Sequence, residues 1–211
     1  MPSVAVFPAI IPSASEMGIV SNTKQFISPL TGYTQTTSRR GARWFLRMSF
    51  LNLRADERGV LKGLLGFMDG QVNRIQVGDH SYTGARGALG GTPLVNGATQ
   101  VGSILLTSGW PNSTVVLKAG DLISFSNGTY SELKQVTSDI TSSATGTASI
   151  SINPEIHKSP ASSALIETAN PVGTFMLASP VINWTNRPSQ IGGVSSPASD
   201  ISIDLVEDIG T

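Results

Sequence analysis

The chain has 211 residues, fourteen basic and fourteen acidic, no cysteine, and charged residues at only 13% of its length, where ordinary domains carry roughly a quarter. That length holds one large domain or two small ones with a core that needs no staples, and zero Cys excludes disulfides, thiolate metal sites and cysteine nucleophiles. Zero net charge removes any global electrostatic pull toward nucleic acid or an anionic membrane, and a surface so poor in charge is expected to be covered by partners.

The N-terminal "MPSVAVFPAIIPSASEMG" is apolar, lacks a basic stretch and is interrupted by Pro2, Pro8 and Pro12. It reads as an extended arm or edge strand, not a signal peptide. No apolar run approaches the roughly 18 residues of a membrane helix, so no membrane insertion is expected. Residues 39 to 86 hold nine of the fourteen bases against four acids, whereas the last twelve residues hold four acids and no base. No aromatic interleaving or recognition helix accompanies the basic region, so no specific nucleic-acid binding is expected. Complementary ends meeting between neighbouring subunits fit at least as well.

In "ARWFLRMSFLNL", Trp44, Leu46, Met48 and Phe50 fall on one face and Arg47 and Ser49 on the other, the period of a half-buried strand. "ADERGVLKGLLGFMDG" follows with Val60, Leu61, Leu64, Leu65 and Met68 at helical spacing, and with Asp56 and Glu57 in the first turn, where they favour the helix dipole. One helix over about 55–68 is expected. Gly59, Gly63 and Gly66 each weaken it by up to about 1 kcal/mol relative to Ala, which tertiary packing must offset; they are expected to permit close approach to a sheet. After a short strand, "NRIQVGD", the composition turns Gly-rich in "YTGARGALGGTPLVN", read as a linker. From Gln100 the pattern is all β, and Asn127-Gly128 is a hairpin signal. "TFMLASPVINW" resumes strand, and "DISIDLVEDI" closes the chain with Ile201, Ile203 and Leu205 alternating.

No nucleophile, base and orienting group come together in this pattern. His80 and His157 lack carboxylates at metal-ligand spacing apart from Asp79, whose side chain would point the other way on a strand. Asp121 in "KAGD" and Asp139 in "SDITSSATG" read as turn residues bonded to their own backbone. "GARGALGG" lacks the Lys and Ser/Thr of a phosphate-binding loop. The sequons at Asn112, Asn127 and Asn183 are chance matches without a secretion signal, and Trp110 and Trp184 read as core or interface anchors before they read as a sugar platform. The expectation is scaffold: no catalytic residue, no cofactor, no metal and no small-molecule substrate.

Three passages carry a resemblance. "GARWFLRMSFLNLRADERGVLKGLLGFMDGQVNRIQVGD", "STVVLKAGDLISFSNGTYSELKQVTSDITSSATGTASISINPEI" and "NPVGTFMLASPVINW" together resemble distal tail proteins and related minor tail proteins of long-tailed bacteriophages. The resemblance implies a mainly β fold with a sandwich-like core, one packing helix and an inserted small all-β domain. Its boundaries are core at 1–85, insertion at 86–170 and return strands at 171–211. It implies a structural virion protein at the tail tip, a homohexameric ring joining tube protein to hub protein. The alternatives are a head-decoration or head-tail connector protein, or a carbohydrate-binding module for host attachment. Ring contacts are expected from the arm, through Val4, Val6, Phe7, Ile10 and Ile11, and from Arg39, Arg40 and Arg43 opposite Asp200, Asp204, Glu207 and Asp208.

Overall fold

The computed structural model describes residues 2–88, 90–187 and 198–210. The fold is mainly β, with several sheets and one α-helix among the described residues. It divides into two compact units, one made of Met1–Gly18, Phe45–Tyr82 and Val172–Asp208, the other of Ile19–Trp44, Thr83–Pro171 and Ile209–Thr211. Residues 19–44, expected with the first domain, thus fall in the second unit.

The first unit is built on one mixed sheet. Its strands are β1 (Val4–Val6), β2 (Ala14–Val20), β5 (Arg43–Phe50), β6 (Arg74–Val77), β15 (Gly173–Leu177), β16 (Thr185–Arg187) and β17 (Ala198–Glu207). They run in the order β1-β6-β15-β17-β5-β2, with β16 paired to β17. The alternation read in the sequence is what makes the central pair: Ile201 lies opposite Phe50, Ile203 opposite Met48 and Leu205 opposite Leu46, and all six are buried. Each such burial is worth roughly 1.5–3 kcal/mol, and a one-residue slip would turn the whole set to solvent.

The helix α1 (Ala55–Met68) starts with the Glu57 carboxylate accepting the Arg54 N–H at 3.1 Å, and ends at Asp69 in the left-handed conformation, φ 46°. It buries Leu61, Leu65 and Met68. Leu65 lines a cleft of about 230 Å³ together with Leu177 of β15 and Ile203 of β17, so the buried face of the helix is turned toward the sheet. Two expectations are corrected. Val60 is exposed and Leu64 only half-buried, because at 3.6 residues per turn both lie to one side of the 61/65/68 stripe. A Cβ at Gly59, Gly63 or Gly66 would meet nothing within 4 Å, so these glycines do not serve close approach to the sheet.

The second unit has a six-stranded sheet in the order β14-β10-β11-β13-β8-β7. These strands are β7 (Leu94–Val95), β8 (Gly102–Ser108), β10 (Leu122–Ser126), β11 (Ser131–Val136), β13 (Ala148–Ile156) and β14 (Ile166–Glu167). A short pair, β9 (Val115–Leu117) with β12 (Ile140–Thr141), and a separate hairpin, β3 (Thr23–Ile27) with β4 (Thr34–Ser38), complete it. The core gathers Leu105, Trp110, Val116, Ile123, Phe125, Ile150 and Ile152 among others. The Gly-rich stretch expected as a linker is packed. A Cβ on Gly87 would collide with the Val116 carbonyl, the Ala88 N–H donates to the Val115 carbonyl at 2.8 Å, and the Thr92 N–H to the Gly109 carbonyl at 3.0 Å. Glycine is used here for backbone approach, not for flexibility.

Candidate assembly interface

The β3/β4 hairpin stands out among the described residues as paired but uncovered. Its strands pair in register from Thr23 opposite Ser38 to Ile27 opposite Thr34, yet every residue of both strands is exposed. Thr23, Thr34, Thr36 and Thr37 favour extended backbone, and the tip is closed by the Ser28 N–H on the Tyr33 carbonyl and the Gly32 N–H on the Ser28 carbonyl, both at 2.9 Å. A two-stranded hairpin alone is marginal in water. This one exposes Phe26 (57%), Ile27 (62%), Leu30 (95%) and Tyr33 (79%) at or near its tip. Such a concentration makes the hairpin the candidate interaction surface. The alternation of Trp44, Leu46, Met48 and Phe50 is the strong signal in this part of the sequence; the hairpin's polar threonines do not alternate with apolar residues, and the signal available for it was the run "FISPLTGY".

Formal charge divides between the units. The second holds eight bases (Lys24, Arg39, Arg40, Arg43, Arg86, Lys118, Lys134, Lys158) and five acids (Asp121, Glu132, Asp139, Glu155, Glu167). The first therefore carries the other six bases and nine acids, so the units bear +3 and −3. Residues 19–44 contain four bases and no acid.

The residues expected at the interface have varied fates. Val4 and Val6 are exposed, but β1 is an edge strand paired in parallel with β6, Val4 opposite Arg74. Phe7 stacks on Phe50 with centroids 6.1 Å apart and meets His80 edge-on at 5.6 Å. Ile10 is half-buried and Ile11 exposed. The N-terminal stretch is therefore tied to its own sheet through residue 7. Arg39 is exposed; Arg40 lies 3.7 Å from Glu155, and Arg43 is half-buried. At the acidic end, the Asp200 carboxylate accepts the Asn52 N–H at 3.1 Å, Asp204 lies 3.9 Å from Arg47, Glu207 is buried, and Asp208 pairs with Arg74 behind side chains only 14% exposed. Much of the expected acidic patch is thus engaged within its own unit.

The polar groups that attract catalytic readings are committed to holding backbone. Asp121 accepts the Lys118 N–H at 2.8 Å, the Arg86 N–H at 3.0 Å and the Arg86 Nε–H at 2.9 Å. Gly120 before it sits at φ 91°, and Asp139 accepts the Ala119 N–H at 2.9 Å. Glu132 and Lys134 form a wholly buried pair at 2.9 Å. The same carboxylate accepts from Asn127 Nδ2 at 2.8 Å and from the N–H groups of His157 and Lys158 at 3.1 and 3.0 Å, while Lys134 Nζ also donates to the Glu155 carbonyl at 2.9 Å. Burial raises the Glu132 pKa, but the Lys134 charge and these hydrogen bonds together outweigh it, so the group sits below its ordinary value. His157 is lowered to about 4, first by burial and then by Lys134, and its Nε2 is enclosed without a hydrogen-bond partner among the described residues. His80 is lowered by burial, partly offset by Asp79.

The two tryptophans weighed as a sugar platform lie in different units. Trp110 is buried with its N–H on Thr107 Oγ1 at 2.8 Å, and Trp184 lies under Lys62 Nζ, 4.4 Å from the ring centre. No helix among the described residues is long and apolar enough to cross a membrane. No protein-family model matches the chain, and no curated protein matches it.

Proposed function

We propose that the chain is a structural protein of a bacteriophage tail, assembling head to tail into a closed ring of six at the distal end of the tail tube, between tube and hub, and performing no catalysis. The exposed apolar hairpin carries this reading. A two-stranded element leaves every residue of its strands exposed among the described residues and presents Phe26, Ile27, Leu30 and Tyr33 to solvent, as expected of an arm completed by another subunit. The opposite charges of the two units support a heterologous contact, in which one copy's basic part meets another's acidic part and rotation closes the ring. The engagement of Asp121, Asp139 and Glu132 with backbone N–H groups supports scaffold over enzyme.

The test is the mass and symmetry of the purified protein at tens of micromolar and low salt, by light scattering and negative-stain electron microscopy. Closed six-fold rings are expected, and rings that bind purified tail tube ends would place them. A monomer under all these conditions would sink the ring reading. Rings that bind portal or capsid instead would favour the connector or decoration role.

A further inference from the structure

We infer that the outward face of α1 is the seat of the β3/β4 hairpin from a second copy of this chain. The inference rests on the ring reading and adds to it the receiving surface.

Three observations converge. Val60 (49% exposed), half-buried Leu64 and Phe67 (37% exposed) stand at i, i+4 and i+7, so they form an apolar stripe beside the one that α1 buries on its own sheet. Gly59, Gly63 and Gly66 repeat the same spacing on the next flank, and open space surrounds the position of each missing side chain. Three glycines in fourteen residues cost the helix stability, and no contact among the described residues accounts for them. Together the two stripes make a shallow trough with a ridge, shaped for an extended segment at backbone distance.

The occupant is fixed by what lacks a seat. The hairpin has tip side chains of matching apolar character and is exposed along its whole length in its own chain. Charge agrees in sign: the hairpin carries one base, Lys24, and no acid, two more bases, Arg39 and Arg40, follow it directly, and the unit holding α1 is net negative. On the helical wheel exposed Asp56 falls between the apolar and glycine stripes, whereas Arg58 and Lys62 fall on the far side. A contact between hairpin and helix uses different surfaces on the two copies. It is heterologous and propagates from copy to copy until the rotation closes.

Two experiments test it. The variant Gly59→Ala/Gly63→Ala/Gly66→Ala should melt at a higher temperature than wild type, because alanine favours helix and each Cβ is unobstructed within the chain, yet its half-assembly concentration should rise at least tenfold. The gain in melting temperature removes misfolding as an explanation. The absence of native cysteine makes the second test clean. Leu30→Cys combined with Gly59→Cys in one chain should oxidise to a ladder of covalent oligomers, a mixture of the two single variants should stop at dimers, and Leu30→Cys with Val101→Cys should not link. If wild type assembles while the alanine variant assembles equally well, or while the Leu30/Gly59 pair fails to link, the helix is not the seat, although the ring reading stands. If wild type stays monomeric, the ring reading itself fails. Assembly that requires another tail component, with Leu30→Cys linking to that component, would assign the arm to it and overturn the proposal.

Discussion

Glu132 and Lys134 stand two residues apart on one face of β11, and the carboxylate serves four donors at once. Removing one member of a buried pair costs about 3–5 kcal/mol, whereas replacing both with apolar residues of similar volume is often neutral. Glu132→Gln should therefore lower the urea midpoint sharply, and Glu132→Leu/Lys134→Met, which removes the stranded charge but strips the acceptor from Asn127 and the His157 and Lys158 N–H groups, should not restore it; an unchanged midpoint in either variant would show that the carboxylate is not the anchor described. His157 adds a pH dependence with a definite sign. Its folded pKa is about 4, below the ordinary 6.5, so between those values the unfolded chain binds a proton that the native one refuses, and stability falls as pH drops from about 6.5 to about 4. Glu132, also lowered, contributes stability at neutral pH that is lost as acid protonates it. Thermal melts from pH 7.5 to 4.5 should slope downward with acid, and His157→Gln should flatten the upper part of that slope. An unchanged slope would mean that the imidazole is not enclosed as described.

At the scale of elements, α1 divides into a face that holds the fold and a face left exposed. Leu65→Asp places a charge against Leu177 and Ile203, at a cost of several kcal/mol, and should give aggregated protein. Val60→Asp, on the exposed flank of the same helix, should fold with a melting temperature near that of wild type. Identical behaviour of the two in soluble yield and circular dichroism would overturn the assignment of faces. The helix, its limits and the alternating faces of the strands that hold Phe50 and Ile201 were legible because strong period-3.6 and period-2 patterns there coincide with burial. The hairpin was not. Its threonines support a strand by propensity alone, and its apolar residues cluster at the turn, where periodicity carries no signal. The glycines of 83–97 misled for a related reason: composition reports that the backbone needs room, and only the packing of Gly87 against the Val116 carbonyl tells whether that room serves motion or contact.

For the whole molecule, assembly through oppositely charged units should respond to salt. The Debye length falls from about 10 Å at 0.1 M to about 3 Å at 1 M, so the half-assembly concentration should rise over that range, by light scattering, and then level off as the apolar hairpin contacts persist. Replacing residues 23–38 with a short Gly-Ser turn should leave a folded monomer in any salt; rings from that variant would show the arm to be dispensable. Deleting residues 1–12, by contrast, strips β1 from β6 and Phe7 from Phe50, so its first effect should be a lower melting temperature.

The second unit is assembled from separated stretches of sequence, and one bond shows what that entails. The Trp44 indole N–H reaches the Leu133 carbonyl at 2.8 Å across 89 positions of chain. Residues 83–171 look like a cassette that recombination could lift out and drop into another gene, but a breakpoint at either end would carry the six-stranded sheet away from the indole that anchors it and from the arm encoded before it. For inheritance, the span is therefore tied at a distance and from one side: the sheet needs an indole at position 44, whereas position 133 contributes only a backbone carbonyl that any residue supplies.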